Sequence, residues 1–195
     1  MINIDGELKK YGKSHKVPIS LDDTLDFLIK TINSSNSKHI LEIGTAIGYS
    51  AITIAENTDC ANIDSLEIDS ERYNLAKENV AKHNLTEKIT LFNLDALEYI
   101  KNTDKIYDLI YLDGPKGQYI NYLPYLIKIL KIGGIIFADN LYFHGMVTGM
   151  IPVSKGCRAM IKGLHKYIDE INSNPSLDTK IYDIGDGIGV SKRIK

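Results

Sequence analysis

Cysteine is scarce in this chain, and the scarcity excludes whole classes of fold. Cys60 and Cys157 lack any metal or redox spacing, so no zinc motif or disulfide framework is in prospect, and reduced thiols in a cytoplasmic protein are expected. Charge of one sign is missing too. Lys and Arg number 23 against 25 Asp and Glu, a net charge of -2, which exerts no overall pull toward nucleic acid or a membrane surface. Any nucleic-acid footprint must therefore be local. No apolar run approaches the roughly twenty residues of a membrane span. Met1 to Lys10 carries Asp5, Glu7, Lys9 and Lys10 without the apolar core of a signal peptide. Internal repeats and low-complexity tracts are absent. What is present, 195 residues with 44% hydrophobic and 25% charged, suffices for one sizeable core and a single domain.

Periodicity organises that core. Leu21, Leu25, Leu28, Ile29 and Ile32 repeat at helical spacing, and the cluster Asn33-Ser34-Ser35-Asn36-Ser37 ends the helix. Strands are expected at His39 to Glu42, Asn62 to Glu67, Ile89 to Asn93, Tyr107 to Asp113 and Gly134 to Ala138. Helices are expected between them at Gly48 to Glu56, Ser70 to Asn84, Ala96 to Lys101 and Tyr119 to Leu130. Five such units mean a parallel sheet with helices on both faces. After a further helix at about Gly156 to Ile171, Lys180 to Ile184 and Ile188 to Arg193 flank the turn Gly185-Asp186-Gly187. That hairpin adds one antiparallel strand.

The dinucleotide fingerprint G-x-G-x-x-G is also missing. Ile40-Leu41-Glu42-Ile43-Gly44-Thr45-Ala46-Ile47-Gly48-Tyr49-Ser50 offers only two glycines, with an acid ahead of them. Glu42 would repel a phosphate and attract the cationic amine or sulfonium of S-adenosylmethionine. Glu67, closing the next strand in Leu66-Glu67-Ile68-Asp69, stands where a ribose would lie and its hydroxyls be accepted. By itself the glycine-poor turn reads equally as an ordinary strand-to-helix connection.

A second group of acids closes two later strands. Asp113 and Asp139-Asn140 fall at the carboxyl edge of the sheet, where open α/β folds place ligands. Two carboxylates and an amide oxygen make a hard, oxygen-only half-shell suited to Mg²⁺ or another divalent cation; taken one at a time, these residues also end strands simply because they favour turns. Methyl transfer from a sulfonium needs an ionised nucleophile held in line. Lys116 can take the acceptor's proton or hold its alkoxide, or be solvated in its loop.

The blocks Leu41 to Ser50, Leu112-Asp113-Gly114-Pro115-Lys116-Gly117-Gln118-Tyr119, Asp139-Asn140 and Gly185-Asp186-Gly187 resemble the cation-dependent O-methyltransferases of the catechol and caffeoyl-CoA type, nearly along the whole chain. The resemblance is nearest to short bacterial members that methylate 5-hydroxyuridine of tRNA. The chain departs at Gly114-Pro115, where bacterial members often carry two alanines. The resemblance implies a Rossmann-like class I methyltransferase domain over 1–195, with a seven-stranded, mostly parallel sheet ending in an antiparallel hairpin. It implies that 1–36 form an N-terminal helical substrate or dimer segment, and that the protein is a homodimer. It puts Glu42, Gly44, Ala46 and Ser50 at the methionine end of the cofactor, Glu67 on the ribose and Asp95-Ala96 at the adenine edge. Thr45 and Ile68 join this cofactor set, and Asp113 lies near the methionine amine. It makes Lys116 and Asp113 catalytic, and Asp113, Asp139 and Asn140 the metal ligands. Asp95 serves equally well as a helix N-cap.

Substrate residues are read less directly. Tyr142, Phe143 and His144 either stack on a flat acceptor or fill a neighbouring groove. His15 either gates the pocket or is solvated, and His39 and His83 are given no role. Lys155, Arg158, Lys162 and Lys166 form a stripe at spacings of three and four, which with Lys9, Lys10, Lys13 and Lys16 suits a phosphate backbone or is a solvated face. The leading expectation is 5-hydroxyuridine of tRNA as acceptor. The alternative is a small catechol-like molecule.

Overall fold

A computed structural model describes residues 5–195; residues 1–4, the start of the expected N-terminal segment, lie outside the described residues. The chain divides into two compact units, Met1–Tyr99 and Ile100–Lys195.

In the first unit, α1 (Gly6–Ser14) and α2 (Asp22–Ser35) precede β1 (His39–Ile43), α3 (Tyr49–Asn57), β2 (Asn62–Glu67), α4 (Ser70–Lys82) and β3 (Ile89–Asn93), and α5 (Ala96–Asn102) begins at its end. Helix α1 has little apolar surface, and its start is set by a cap. The Asp5 carboxylate accepts the N–H of Glu7 at 2.7 Å and of Leu8 at 3.0 Å. Helix α2 runs past the expected stop at Ile32. Ser34 and Ser35 donate back to the Thr31 carbonyl at 3.0 and 2.8 Å, so the serines extend the helix until Asn36 closes it in the left-handed region at φ 51°. Leu25, Leu28, Ile29 and Ile32 are buried as their spacing requires, but Leu21 is the exposed N-cap. Strands β1, β2 and β3 pair in parallel, with Glu42 opposite Ser65 and Leu66 opposite Phe92. Ile40, Leu41 and Ile63, fully buried, drive that pairing through their apolar area.

The second unit holds β4 (Tyr107–Leu112), a 3₁₀ turn Lys116–Gln118, α6 (Tyr119–Ile129), β5 (Leu130–Ala138), a 3₁₀ turn Lys155–Cys157, α7 (Arg158–Ser173), β6 (Leu177–Tyr182) and β7 (Ile188–Arg193). Strand β5 starts four residues before the expected Gly134. Leu130 pairs with Tyr107, the register then shifts, and Ile135 pairs with Leu109. Gly134 sits in this bulge, where a Cβ would approach the Asp108 carbonyl at 2.8 Å. Strand β6 lies three residues upstream of its expected start, because pairing with β7 runs from Leu177 opposite Arg193 to Tyr182 opposite Ile188. Asp183 and Ile184 thus join the turn. The seven strands form a sheet in the order β3-β2-β1-β4-β5-β7-β6; β4 and β5 pair in parallel like β1 to β3, and β7 runs antiparallel to β5 and β6. This is the seven-stranded, mostly parallel Rossmann-like sheet with an antiparallel terminal hairpin that was expected. Among the described residues no helix is long and apolar enough to cross a membrane.

Candidate functional site

Each unit carries a polar centre at strand ends. In the first, the turn after β1 reverses through positive φ at Gly44 (109°), Ala46 (47°) and Gly48 (84°), a conformation that costs the two glycines nothing and that Ala46 adopts in the left-handed region. The N–H groups of Gly44 and Thr45 both donate to the Leu66 carbonyl, at 3.0 and 3.1 Å, which ties the turn to the end of β2. Glu42 is wholly buried. Its two oxygens accept the hydroxyls of Ser50 and Ser65, and Ser65 also pairs with Thr45 at 2.6 Å. Glu67, 7% exposed, accepts the N–H of Ala46 at 2.8 Å and of Asp69 at 2.9 Å. The structure therefore gathers Glu42, Gly44, Thr45, Ala46, Ser50 and Glu67 into one hydrogen-bonded cradle.

The remaining cofactor candidates lie at its margin. Ile68 is exposed. Asp95 caps α5 through the Glu98 N–H at 3.1 Å, and Ala96 is buried behind it. Asn93 has no place among the expected site residues, yet its amide donates to the carbonyls of Glu67 and Ile68 at 2.8 and 3.2 Å. No local pattern marks it, because its partners belong to the neighbouring strand.

The second centre stands where β4 and β5 end. Asp139 is 1% exposed, and its Oδ1 accepts the Asn140 N–H at 2.7 Å. The Tyr111 hydroxyl lies 3.4 Å from Asp113 Oδ2 and 3.5 Å from Asp139 Oδ2, placing one phenol between two acids. Burial and the Asp113 carboxylate push the Asp139 carboxyl up to about 7, against the opposing pull of Lys116 and the Asn140 N–H. Lys116 is not a solvated loop lysine. Its ammonium donates to Asp113 Oδ1 at 2.7 Å and to the Tyr119 hydroxyl at 2.8 Å, and its side chain is 11% exposed. Tyr119 in turn donates to the Leu112 carbonyl at 2.8 Å. Burial, with Asp113 and Asp139 nearby, holds that phenol well above its ordinary range, so it remains a donor.

Tyr111 and Tyr119 are the residues that sequence reasoning missed here. Tyr119 falls three residues after Lys116, a spacing that could have flagged it. Among the described residues no three His, Cys, Asp or Glu cluster so as to hold a metal; the expected ligands are two carboxylates and an amide, and their donor atoms are all oxygen.

The loop after Asn140 is fixed by the C-terminal turn. Leu141 and Tyr142 donate to the carbonyls of Gly187 and Asp186, each at 2.9 Å, and the His144 N–H donates to both Asp186 carboxylate oxygens at 2.9 Å. Tyr142 packs on Gly187, where a Cβ would lie 2.5 Å from the ring, while His144 is exposed. Lys155, Arg158, Lys162 and Lys166 are exposed around the start of α7. In the first unit, Lys9 pairs with Asp22. His15 stacks on Tyr11 with ring centroids 4.0 Å apart. His83, given no role from sequence, lies between Glu56 (2.7 Å) and Asp5 (2.9 Å).

The family model described as O-methyltransferase matches residues 6–194. The chain is similar to caffeoyl-CoA O-methyltransferase 2 of Eucalyptus globulus, with 30% identity over 87% of this chain and 71% of the relative. It is also similar to a crystal structure of a candidate caffeoyl-CoA O-methyltransferase from Staphylococcus aureus, with TM-score 0.89, 32% identity and coverage of 96% and 90%. The O-methyltransferase from Bacillus cereus in complex with SAH shares the fold at TM-score 0.82 and 22% identity, with coverage of 96% and 89%.

Proposed function

Because the chain belongs to the O-methyltransferase family, we propose that it transfers the methyl group of S-adenosylmethionine to a hydroxyl of a small aromatic vicinal diol, of catechol or caffeoyl-CoA type, with a divalent cation held by Asp113, Asp139 and Asn140. The observation that carries this reading is the pair of acids at the ends of β4 and β5, Asp139 buried and Asp113 paired with Lys116. An oxygen-only set of this kind fits a hard cation. When bound there, the cation would lower the pKa of the acceptor hydroxyl. Lys116, anchored by Asp113 and Tyr119, keeps a third N–H for the developing phenolate. On the donor side, Glu67 retains lone pairs for ribose hydroxyls, and Glu42 supplies negative charge from beneath the turn toward the sulfonium and amine. The Bacillus cereus structure, bound to SAH, supports this assignment of the donor.

The acceptor first expected from the sequence, 5-hydroxyuridine of tRNA, rests on resemblance and on the exposed stripe Lys155, Arg158, Lys162 and Lys166. The Eucalyptus globulus relative, named for caffeoyl-CoA, moves the reading to the small acceptor. A single methyltransferase domain over 1–195, a substrate or dimer segment at 1–36 and a homodimer belong to the same proposal. Labelled methyl transfer to caffeoyl-CoA, catechol and 5-hydroxyuridine-bearing tRNA, each with EDTA and with Mg²⁺, tests it. A small diol should be methylated, EDTA should abolish transfer and Mg²⁺ should restore it. Transfer to tRNA alone would overturn the acceptor, and undiminished transfer in EDTA would overturn the metal.

A further inference from the structure

Beyond Asp139, the chain leaves the sheet and loses its ladder partners. The Asp139 N–H still donates to the Leu112 carbonyl at 3.1 Å. The next N–H groups turn elsewhere: those of Leu141, Tyr142 and His144 all go to Asp186 or Gly187. This segment is bent in a way that side chains resist. Asn140, Phe143 and His144, none of them glycine, have φ of 56°, 43° and 55°, and such backbone persists only where its surroundings over-determine it.

The over-determination comes from the turn between β6 and β7. Gly187, at φ 81°, lets that turn reach the Tyr142 ring, where a Cβ would stand 2.5 Å from Cγ. Asp186 then supplies the bond that backbone alone cannot. Its side chain, 15% exposed, presents two acceptor oxygens to one N–H, that of His144, with the imidazole Nδ1 3.7 Å from Oδ2. A charged acceptor makes the stronger hydrogen bond, so the carboxylate suits the far end of the bent segment.

We propose that Asp186 is a positioning residue for the transfer reaction: by holding the His144 N–H it keeps the 140–144 segment in its bent path and so keeps the Asn140 N–H on Asp139 Oδ1. This role rests on the proposed metal site for its chemical readout, and on hydrogen bonding alone for its structural one. Residues that orient metal ligands from outside typically change affinity or activity by about 10–100-fold when lost.

Asp186→Ala and Asp186→Asn in the full chain test it, with Mn²⁺ alone as the binding probe. Asp186→Ala should weaken Mn²⁺ binding, followed by electron paramagnetic resonance, by about tenfold and lower kcat by about 10–100-fold. Its KM for S-adenosylmethionine should stay within about twofold, because the cradle around Glu67 is untouched. Amide exchange at Leu141, Tyr142 and His144 should accelerate at least about tenfold as the segment opens locally. Asp186→Asn, which keeps an acceptor oxygen, should recover most of each loss. Parent-like Mn²⁺ affinity, kcat and exchange in Asp186→Ala would overturn the proposal. If the parent chain binds no Mn²⁺, the metal reading fails by itself, and kcat together with exchange at His144 decides for Asp186: a lower kcat with faster exchange upholds its role, and parent-like kcat overturns it. Should Asp186→Ala not fold, Asp186→Glu decides, since it keeps the charge and displaces it by one methylene. Weaker Mn²⁺ binding at a parent-like Tm upholds the role, and parent-like binding overturns it.

Discussion

Glu42 and Asp139 are both buried carboxylates near the ends of parallel strands, 0% and 1% exposed, and the chain treats them in opposite ways. Glu42 meets two neutral donors, the hydroxyls of Ser50 and Ser65, one for each oxygen. Asp139 meets another carboxylate. Burial and Asp113 push its proton affinity up to about 7, and the ammonium of Lys116 is committed to Asp113 Oδ1. In the first centre neutral donors satisfy the acid. In the second, two carboxylates crowd one ammonium and Asp139 holds its proton up to about 7, a perturbation typical of functional sites.

Removing the acid at the second centre and the donors at the first should therefore have opposite consequences for stability. Asp139→Asn is expected to lower methyl transfer about a thousandfold, ~4 kcal/mol of barrier, because the proposed cation site loses a carboxylate charge. Yet the metal-free variant should unfold at a higher temperature than the parent above pH 7. A carboxyl whose folded pKa is raised contributes stability at low pH that disappears as pH rises through the folded value. Thermal melts in EDTA from pH 4 to 8 read the difference, expected to be at least about 1 kcal/mol at the alkaline end. A variant less stable than the parent at pH 8 would erase the contrast.

At the other centre, Ser50→Ala combined with Ser65→Ala should cost about 3 kcal/mol of folding stability, since it takes two hydroxyl donors from a buried carboxylate. Urea unfolding measures it. Parent-like stability would mean that Glu42 is neutralised from elsewhere.

His83 sharpens the comparison from an intermediate position. Burial works against its charge, but hydrogen bonds and attraction from Glu56 and Asp5 prevail and raise its pKa. Both ring nitrogens face carboxylates, an arrangement that only the imidazolium satisfies at both ends. Asp5 is lowered: burial opposes the shift, and the Leu8 and Glu7 N–H groups and His83 outweigh it. This link to the N-cap of α1 should be complete below the unfolded histidine value, about 6.5, and fade as pH rises through the higher folded value. At the acid end it fails as pH falls through the lowered Asp5 value. His83→Gln should remove that alkaline fade and cost about 1 kcal/mol at pH 6. Proteolysis near α1 across pH 5 to 9 reads it, and an unchanged rate across that range would show that the trio does not hold the helix.

Much of the fold was legible because its signals are local. The mostly apolar strands Ile40–Ile43 and Leu109–Leu112, helical spacing in α2 and α7, and acids at strand ends each declare themselves within a few residues. Sequence by itself determined the alternation of strands and helices and the terminal hairpin, and it singled out Glu42, Glu67, Asp113, Lys116 and Asp139 as candidate site residues. Tertiary structure decided where β5 and β6 start, because partner strands set register. It alone gave Tyr111 its place between two acids whose strands are neighbours, and brought Asp186 to a backbone N–H 42 positions away. It alone set His83 against Asp5, 78 positions distant. Hydroxyls and carboxylates carry no local signature of such roles, since what they do depends on which donors and charges the folded chain brings within about 3 Å of them.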